Sequence, residues 1–154
     1  MAIKESIEKN YKIIYFIAMA AIALWVAYIK GWILADFKFV SAKDGIELIK
    51  SGKYPILDVR DKKQWQKGHI KGAILIPINE LKNRVNELKK YKDKEIIIYS
   101  KSGREGINAG RFLAKEGFKP INIKSGILGL AIEGGKKYPE LFEKGGFNTS
   151  KTIK

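Results

Sequence analysis

The fold is decided by residues 96–105, Ile96-Ile97-Ile98-Tyr99-Ser100-Lys101-Ser102-Gly103-Arg104-Glu105. The continuous apolar run is typical of a strand buried on both faces, and the polar, glycine-containing loop after it leads into a helical pattern over residues 106–118. A strand, loop and helix in this order gather backbone N–H groups and the positive end of a helix dipole around one point. The stretch therefore predicts an anion-binding loop that runs from Lys101 to Gly106.

Short apolar runs alternate with amphipathic helical patterns from Asp36 onward. This alternation predicts an α/β fold with a parallel sheet of about five strands and helices on both faces. The predicted strands are Phe37–Val40, Ile56–Val59, Ala73–Ile76, Ile96–Tyr99 and Ile121–Ile123. Ligands of such sheets bind at the carboxyl ends of the strands, which is where residues 100–105 are expected.

Several helix ends have recognisable signals. Ser41 is a predicted N-cap of the first helix of this region, and Asn79 is expected to cap a helix over residues 80–90. Ser102 and Glu105 have the spacing of a capping box at the start of the helix that follows the loop. Helical turns are also expected at residues 61–66, 126–132 and 137–143.

The N-terminal region is a long apolar segment. Residues 13–29 contain no charged side chain, and a helix over residues 13–35 would be about 34 Å long, enough for a hydrocarbon core of roughly 30 Å. We expect a tail at 1–12, a transmembrane helix at 13–35 in contact with membrane lipid, a soluble domain at 36–144 and a flexible tail at 145–154. A cleaved signal peptide and a buried helix are the alternatives. Since a short N-terminal tail usually stays inside, the domain is expected on the extracytoplasmic side.

The composition excludes several kinds of chemistry. The chain has no cysteine and a single histidine, so disulfides, thiol catalysis and multi-histidine metal sites are excluded, and no metal or cofactor is expected. Its net charge is +14, but the 30 basic residues include only four arginines. Nucleic-acid recognition relies more on arginine and clustered charge, so we expect no nucleic-acid partner. A lysine-rich surface facing water or anionic lipid headgroups is the favoured interpretation.

Two stretches resemble one known family. The first contains Leu57-Asp58-Val59-Arg60 and, further on, Gly68-His69-Ile70-Lys71-Gly72-Ala73 followed by Pro77; the second is the loop and helix from Tyr99 to Phe118. Together with Ser125-Gly126-Ile127 they are similar, over roughly residues 37–135, to the rhodanese-like sulfurtransferases. The resemblance implies the rhodanese-like fold. It also implies that Ser100 occupies the position of the family's catalytic cysteine.

That substitution bears directly on activity. In active members the loop cysteine carries a sulfane sulfur as a persulfide, and this chemistry needs a thiolate. An alcohol has a pKa several units higher, so Ser100 is expected to abolish sulfur transfer. Glu105 also departs from the family, in which that position is commonly a cation, although Lys101 and Arg104 remain basic. Backbone amides could still bind a small sulfur oxyanion.

The supporting residues Asp58, Arg60 and His69 leave alternatives open. Asp58 and Arg60 either pair with each other and with nearby loops or contact a ligand directly. His69 is either a turn histidine bonded to backbone or a general base. A phosphatase or serine hydrolase is not favoured, because the loop lacks a cysteine nucleophile and no base can be assigned to Ser100.

Two functions follow as hypotheses. The first is a membrane-anchored binding or scaffolding module without sulfurtransferase activity, whose protein partner the sequence does not identify. The alternative is a thiosulfate or persulfide sulfurtransferase of which this chain is a cysteine-to-serine variant.

Overall fold

The computed structural model describes residues 2–29 and 37–143, and the chain forms two compact units, residues 1–35 and 36–154. In the first unit, helix α1 spans Ala2–Ile29. Its segment Asn10–Tyr28 is long and apolar enough to cross a membrane, judged by length and composition, with a mean hydropathy of 1.7 and no buried residues. Residues 30–35 of the predicted span and the predicted tail at 145–154 lie outside the described residues.

The second unit is an α/β domain that alternates strands and helices. Its elements in chain order are β1 (Lys38–Val40), α2 (Ala42–Lys50), β2 (Ile56–Asp58), α3 (Lys62–Lys67), β3 (His69–Ile70), β4 (Ile74–Leu75), α4 (Leu81–Arg84), a 3₁₀ helix (Val85–Tyr91), β5 (Glu95–Tyr99), α5 (Arg104–Lys115), β6 (Lys119–Ile123), α6 (Gly126–Gly134), a 3₁₀ turn (Pro139–Leu141) and β7 (Phe142–Glu143).

The main sheet has five parallel strands, as the sequence predicts, and their order is β1-β6-β5-β2-β4. A second, two-stranded sheet was not expected: β3 and β7 pair antiparallel, His69 opposite Glu143 and Ile70 opposite Phe142. The helix predicted at residues 137–143 is therefore wrong, because only Pro139–Leu141 turns and the chain then extends into β7. Strands of two residues that pair with a strand far away in the sequence have too little local pattern to be predicted.

The core has two layers, one on each face of the main sheet. Ile96 and Ile98 of β5 pack into one layer with Leu113 of α5, whereas Ile97 packs into the other with Ile127 of α6. Successive side chains of a strand point to opposite faces. A strand covered on both faces therefore needs the unbroken apolar run from which it was predicted.

The helix starts differ in how well they match the sequence signals. Ser41 is an N-cap, since its Oγ accepts a hydrogen bond of 3.2 Å from the Asp44 N–H. The predicted cap at Asn79 is wrong: α4 begins after Glu80 without a side-chain cap, and only four residues are α-helical before the 3₁₀ helix. Asn79 instead lies inside a turn closed by the Glu80 N–H, which donates to the Pro77 carbonyl at 2.8 Å.

Candidate functional site

The loop after β5 is fixed by its own serine and by the start of α6. Ser100 is fully buried, and its Oγ accepts a hydrogen bond of 2.9 Å from the Gly103 N–H. The Ser100 carbonyl accepts from the Ile127 N–H at 2.8 Å, and the Lys101 carbonyl accepts from the Leu128 N–H at 3.2 Å. The loop and the first turn of α6 therefore form one hydrogen-bonded unit at the carboxyl end of the sheet.

Entry into α5 depends on Gly103 rather than on a capping box. Gly103 is the N-cap, has a positive φ of 91°, and no side chain caps it. A Cβ at this residue would collide with the backbone carbonyl of Lys124. The predicted box between Ser102 and Glu105 is therefore wrong, because a capping box needs an extended N-cap residue, whereas here a left-handed glycine begins the helix. The side chains of Ser102 and Glu105 both lie exposed.

The loop and the first turn of α5 contain backbone N–H groups for which the described residues offer no acceptor. Among the described residues, no acceptor is found for the backbone N–H groups of Lys101, Ser102, Arg104 and Glu105. Unpaired amides at the start of a 12-residue helix such as α5 suit an oxyanion. The exposed side chains of Lys101 and Arg104 add positive charge, and the exposed carboxylate of Glu105 opposes it.

Behind the loop lies a buried polar side chain that the sequence did not single out. Asn122 of β6 donates from Nδ2 to the Gly103 carbonyl at 3.2 Å, and its Oδ1 has no partner among the described residues. A Cβ at Gly106 would collide with that Oδ1. Gly106 therefore allows α5 to approach β6 closely. Asn122 stabilises the loop through its hydrogen bond to the Gly103 carbonyl.

Asp58 and Arg60 form a buried ion pair at the end of β2. The Arg60 Nε donates to both carboxylate oxygens of Asp58, at 2.9 and 3.0 Å, and its Nη2 donates to Asp58 and to the Gly68 carbonyl. Burial alone would lower the pKa of Arg60, but the Asp58 carboxylate outweighs it and raises that pKa. The structure thus contains the first of the two alternatives for these residues: Asp58 and Arg60 pair with each other, and Arg60 also bonds the backbone of a nearby loop.

His69 is held by backbone and by the C-terminal strand. Its ring stacks on Trp65 with centroids 3.5 Å apart, its Nδ1 lies 3.1 Å from the Trp65 carbonyl, and its Nε2 lies 3.3 Å from the Glu143 carboxylate. The residue is 4% exposed. Among the described residues, no hydrogen bond joins His69 to Ser100.

Tyr99 links these groups to the loop and was not predicted as a site residue. It is the register partner of Asp58, its hydroxyl accepts a hydrogen bond of 3.1 Å from the Ile70 N–H, and the Arg60 guanidinium lies 5.4 Å from its ring centroid. The available signal was a tyrosine closing a buried apolar strand, since a buried hydroxyl needs a partner. Asp58, Arg60 and Tyr99 thus form one cluster beside Ser100.

Tyr99 gives the domain a predicted sensitivity to alkali. Burial, reinforced by the Asp58 carboxylate, raises the pKa of the Tyr99 phenol well above its usual value of 10. Above pH 10 the unfolded chain loses this proton while the folded chain keeps it, so the contribution of Tyr99 to stability is complete below pH 10 and declines as pH rises, by at most about 1.4 kcal/mol per pH unit. Urea unfolding at a series of alkaline pH values measures this slope. Tyr99→Phe should flatten it, and an unchanged slope in that variant would contradict the assignment.

Comparison with known proteins agrees with this fold. The model of the rhodanese-like domain family matches residues 41–132, and the chain belongs to the rhodanese-like domain family. The Escherichia coli K12 protein YibN is 31% identical over 118 residues, which cover 71% of this chain and 82% of that protein. The Escherichia coli K12 thiosulfate sulfurtransferase PspE is 30% identical over 76 residues, covering 49% of this chain and 73% of PspE.

A solved structure supports the same family and fold. A rhodanese-related protein from Thermoplasma volcanium superposes with a TM-score of 0.58 at 31% sequence identity, over 64% of this chain and 94% of that one. The family and the five-stranded parallel fold are thereby established, with sulfurtransferase-related proteins among the relatives.

Proposed function

We propose that this chain is a membrane-anchored rhodanese-like domain that binds a partner and does not transfer sulfur. The observation that carries the proposal is the oxygen of Ser100, which accepts the Gly103 N–H at 2.9 Å at the position where the family resemblance places a sulfur nucleophile. A hydroxyl keeps its proton near neutral pH and cannot carry a sulfane sulfur as a stable persulfide. Full burial of Ser100 supports the proposal further, because it restricts the access of reagents to this side chain.

The anchoring part of the proposal rests on α1. Its segment Asn10–Tyr28 has the length and hydropathy of a single span, and large apolar side chains such as Ile14, Phe16 and Leu24 are exposed along it. An exposed apolar surface of this size is costly in water and favourable in lipid. In the orientation we propose, the short N-terminal end stays inside and the domain lies on the extracytoplasmic side.

The wild-type chain, in detergent solution, is expected to convert thiosulfate and cyanide to thiocyanate no faster than buffer alone. Thiocyanate formation above the uncatalysed rate would overturn the proposal. In Ser100→Cys, the new thiol is expected to stay unmodified after incubation with thiosulfate, as read by intact-mass spectrometry, because position 100 is fully buried and the Glu105 carboxylate at the start of α5 repels an anionic donor. The mass increase of one sulfur atom would instead support the alternative, a sulfurtransferase of which this chain is a cysteine-to-serine variant.

A matched control separates the loop position from cysteine chemistry in general. Ser102 lies in the same loop but is exposed. Ser102→Cys therefore provides an accessible thiol away from position 100, where the side chain accepts the Gly103 N–H. A persulfide that forms equally in both variants would reflect nonspecific thiol chemistry. One that forms only in Ser100→Cys would show that the loop is competent for sulfur transfer.

A second candidate function is the binding of a small oxyanion, favoured by four loop amides that have no acceptor in the part of the chain that the structure describes. It needs no nucleophile, because backbone N–H groups bind the anion. Titration of the wild-type chain with sulfate, followed by amide chemical shifts, tests it. Shifts confined to Gly103–Gly106 would support this candidate, and unchanged shifts would remove it.

A further inference from the structure

Exposed lysines stand at the amino ends of all five strands of the main sheet. Because the strands are parallel, these ends form one edge, opposite to the edge that carries Ser100. We name six residues at this position the lysine edge: Lys38, Lys53, Lys71, Lys92, Lys94 and Lys119. Five neighbouring strands are about 19 Å across at about 4.8 Å per strand, so the lysine edge is a row of cations rather than a pocket.

Contacts between neighbouring strands hold this row together. Glu95, which follows Lys94, is the register partner of Lys119, and the Lys92 Nζ lies 5.9 Å from the ring centroid of Phe118. On the other side, the Ile97 N–H donates to the Pro55 carbonyl at 2.9 Å, so the segment after Lys53 stays beside β5. Lysines that are distant in sequence are therefore neighbours on one surface.

The charge of the lysine edge is largely unneutralised. Among the described residues, ion pairs are found for Lys38, with Glu95, but not for Lys53, Lys71, Lys94 or Lys119. The helices that end at the same side add basic last turns, at Lys89, Lys90 and Lys115. Lysine at a helix end is explained by the helix dipole, but that explanation does not cover the lysines in the loops before the strands. Carboxylates near this side include Asp93, Glu95 and Glu116 beside the lysines, Glu140 at the adjoining cavity, and Glu47 and Glu133 in the last turns of α2 and α6.

We propose that the lysine edge binds the anionic headgroups of a lipid surface. Long, exposed lysines suit a diffuse negative surface, since an ammonium acts as a point charge and needs no fixed partner geometry. Nucleic acid is the less favoured partner, because the six cations include no arginine. A cavity of about 290 Å³ at the same edge has Tyr54, Lys71, Tyr91 and the acidic Glu140 among its lining residues. Its two tyrosines are amphipathic rings of the kind found at membrane interfaces.

The inference rests on the anchoring part of the proposed function. Strand β1 starts at the lysine edge, and Lys38 follows Tyr28, the last residue of the candidate span, by ten positions. A chain anchored by that span is never far from headgroups, so weak contacts by individual lysines act together. With the lysine edge on lipid, the Ser100 loop at the opposite edge remains open to partners in solution.

Lysine acetylation of the full chain in nanodiscs tests the proposal. Discs are prepared from phosphatidylcholine alone or with phosphatidylglycerol, treated briefly with an amine-reactive acetylating reagent and analysed by mass spectrometry. We expect a several-fold slower acetylation of the lysine edge in the anionic discs, reversed at high salt. Lys101 and Lys124, exposed at the opposite edge, are internal controls and should be unaffected. Equal protection at both edges, or protection that does not depend on phosphatidylglycerol, would overturn the proposal.

Charge variants sharpen the result. Each lysine removed is expected to weaken contact with the anionic surface about fivefold. Lys53→Gln/Lys94→Gln/Lys119→Gln should therefore abolish protection of Lys71 and Lys92, the two remaining edge residues other than Lys38, which pairs with Glu95. A control with the same loss of charge, Lys62→Gln/Lys63→Gln/Lys67→Gln on α3, should keep it. Protection of Lys71 and Lys92 that persists in the edge variant would contradict the proposal.

The experiment distinguishes a wrong proposal about membrane anchoring from a wrong proposal about lipid binding by the lysine edge. Co-elution of the chain with discs reports anchoring alone, whatever the acetylation pattern. If the chain does not remain with the discs, the same acetylation with added anionic vesicles still tests the edge. Protection by an RNA oligonucleotide, without protection by anionic lipid, would overturn the proposal in favour of a nucleic-acid surface.

Discussion

Asp58→Asn is expected to lower the free energy of unfolding of the α/β domain by about 3–5 kcal/mol, because it leaves the Arg60 guanidinium buried without its counter-charge. The side chains of Asp58 and Arg60 are 0% and 3% exposed, and the carboxylate accepts three donors of Arg60, including its backbone N–H. An amide of the same shape offers one acceptor oxygen and no charge. Urea unfolding followed by tryptophan fluorescence measures the difference.

Two companion variants show whether the lost charge is the cause. Glu80→Gln removes a carboxylate from an exposed pair with Arg84 and should cost less than about 0.5 kcal/mol. A double replacement, Asp58→Leu with Arg60→Met, removes both charges and should be less destabilising than Asp58→Asn alone. A double variant as unstable as the single one would contradict this account.

Gly126→Ala is the second change with a large expected effect. Gly126 has a φ of +57°, and a Cβ there would lie 2.8 Å from the Gly103 nitrogen and would also collide with the Ser100 carbonyl. Since both neighbours are backbone, they cannot give way without displacing the loop. We expect a loss of about 2–5 kcal/mol, the sum of the left-handed conformation and of overpacking, together with large amide shifts from Ser100 to Gly106.

Gly52 provides the matched control for this prediction. It has a similar φ of +64°, but nothing lies within 4 Å of the position of its Cβ. Gly52→Ala should therefore cost only the conformational part, about 1–2 kcal/mol, and leave the loop shifts unchanged. Equal destabilisation by the two variants would mean that packing against the Ser100 loop contributes nothing.

The sequence predicts the main sheet because its signals are local and strong. The run Ile96–Ile98 must be apolar on both sides to lie between two core layers, and Ser41 caps α2 through a contact three residues away. The pairing of β3 with β7 depends on residues more than 70 positions apart, and no local pattern reveals it. The Asn79 cap failed because a turn from Pro77 to Glu80 fixes the backbone before the helix starts.

The position of the candidate loop could be predicted, and its details less so. The alternation of strands and helices places residues 100–105 at the carboxyl end of a strand, and in the structure this loop follows β5. The capping box at Ser102 failed because α5 begins at Gly103, which has a positive φ and lies against the Lys124 carbonyl of another segment. Asn122 and Tyr99 were missed for a related reason: a polar residue inside a strand has no function visible in sequence until its partners across the sheet are known.

The strand order has a consequence for how the domain is made. Among the strands of the main sheet, β1 pairs only with β6, and β6 also pairs with β5. During synthesis, β1 is the first strand of the main sheet to be made, and it has no partner strand until β6, which ends at Ile123, has been made as well. The nascent domain therefore has an unpaired first strand through most of its synthesis, and only the late arrival of β6 can close the sheet.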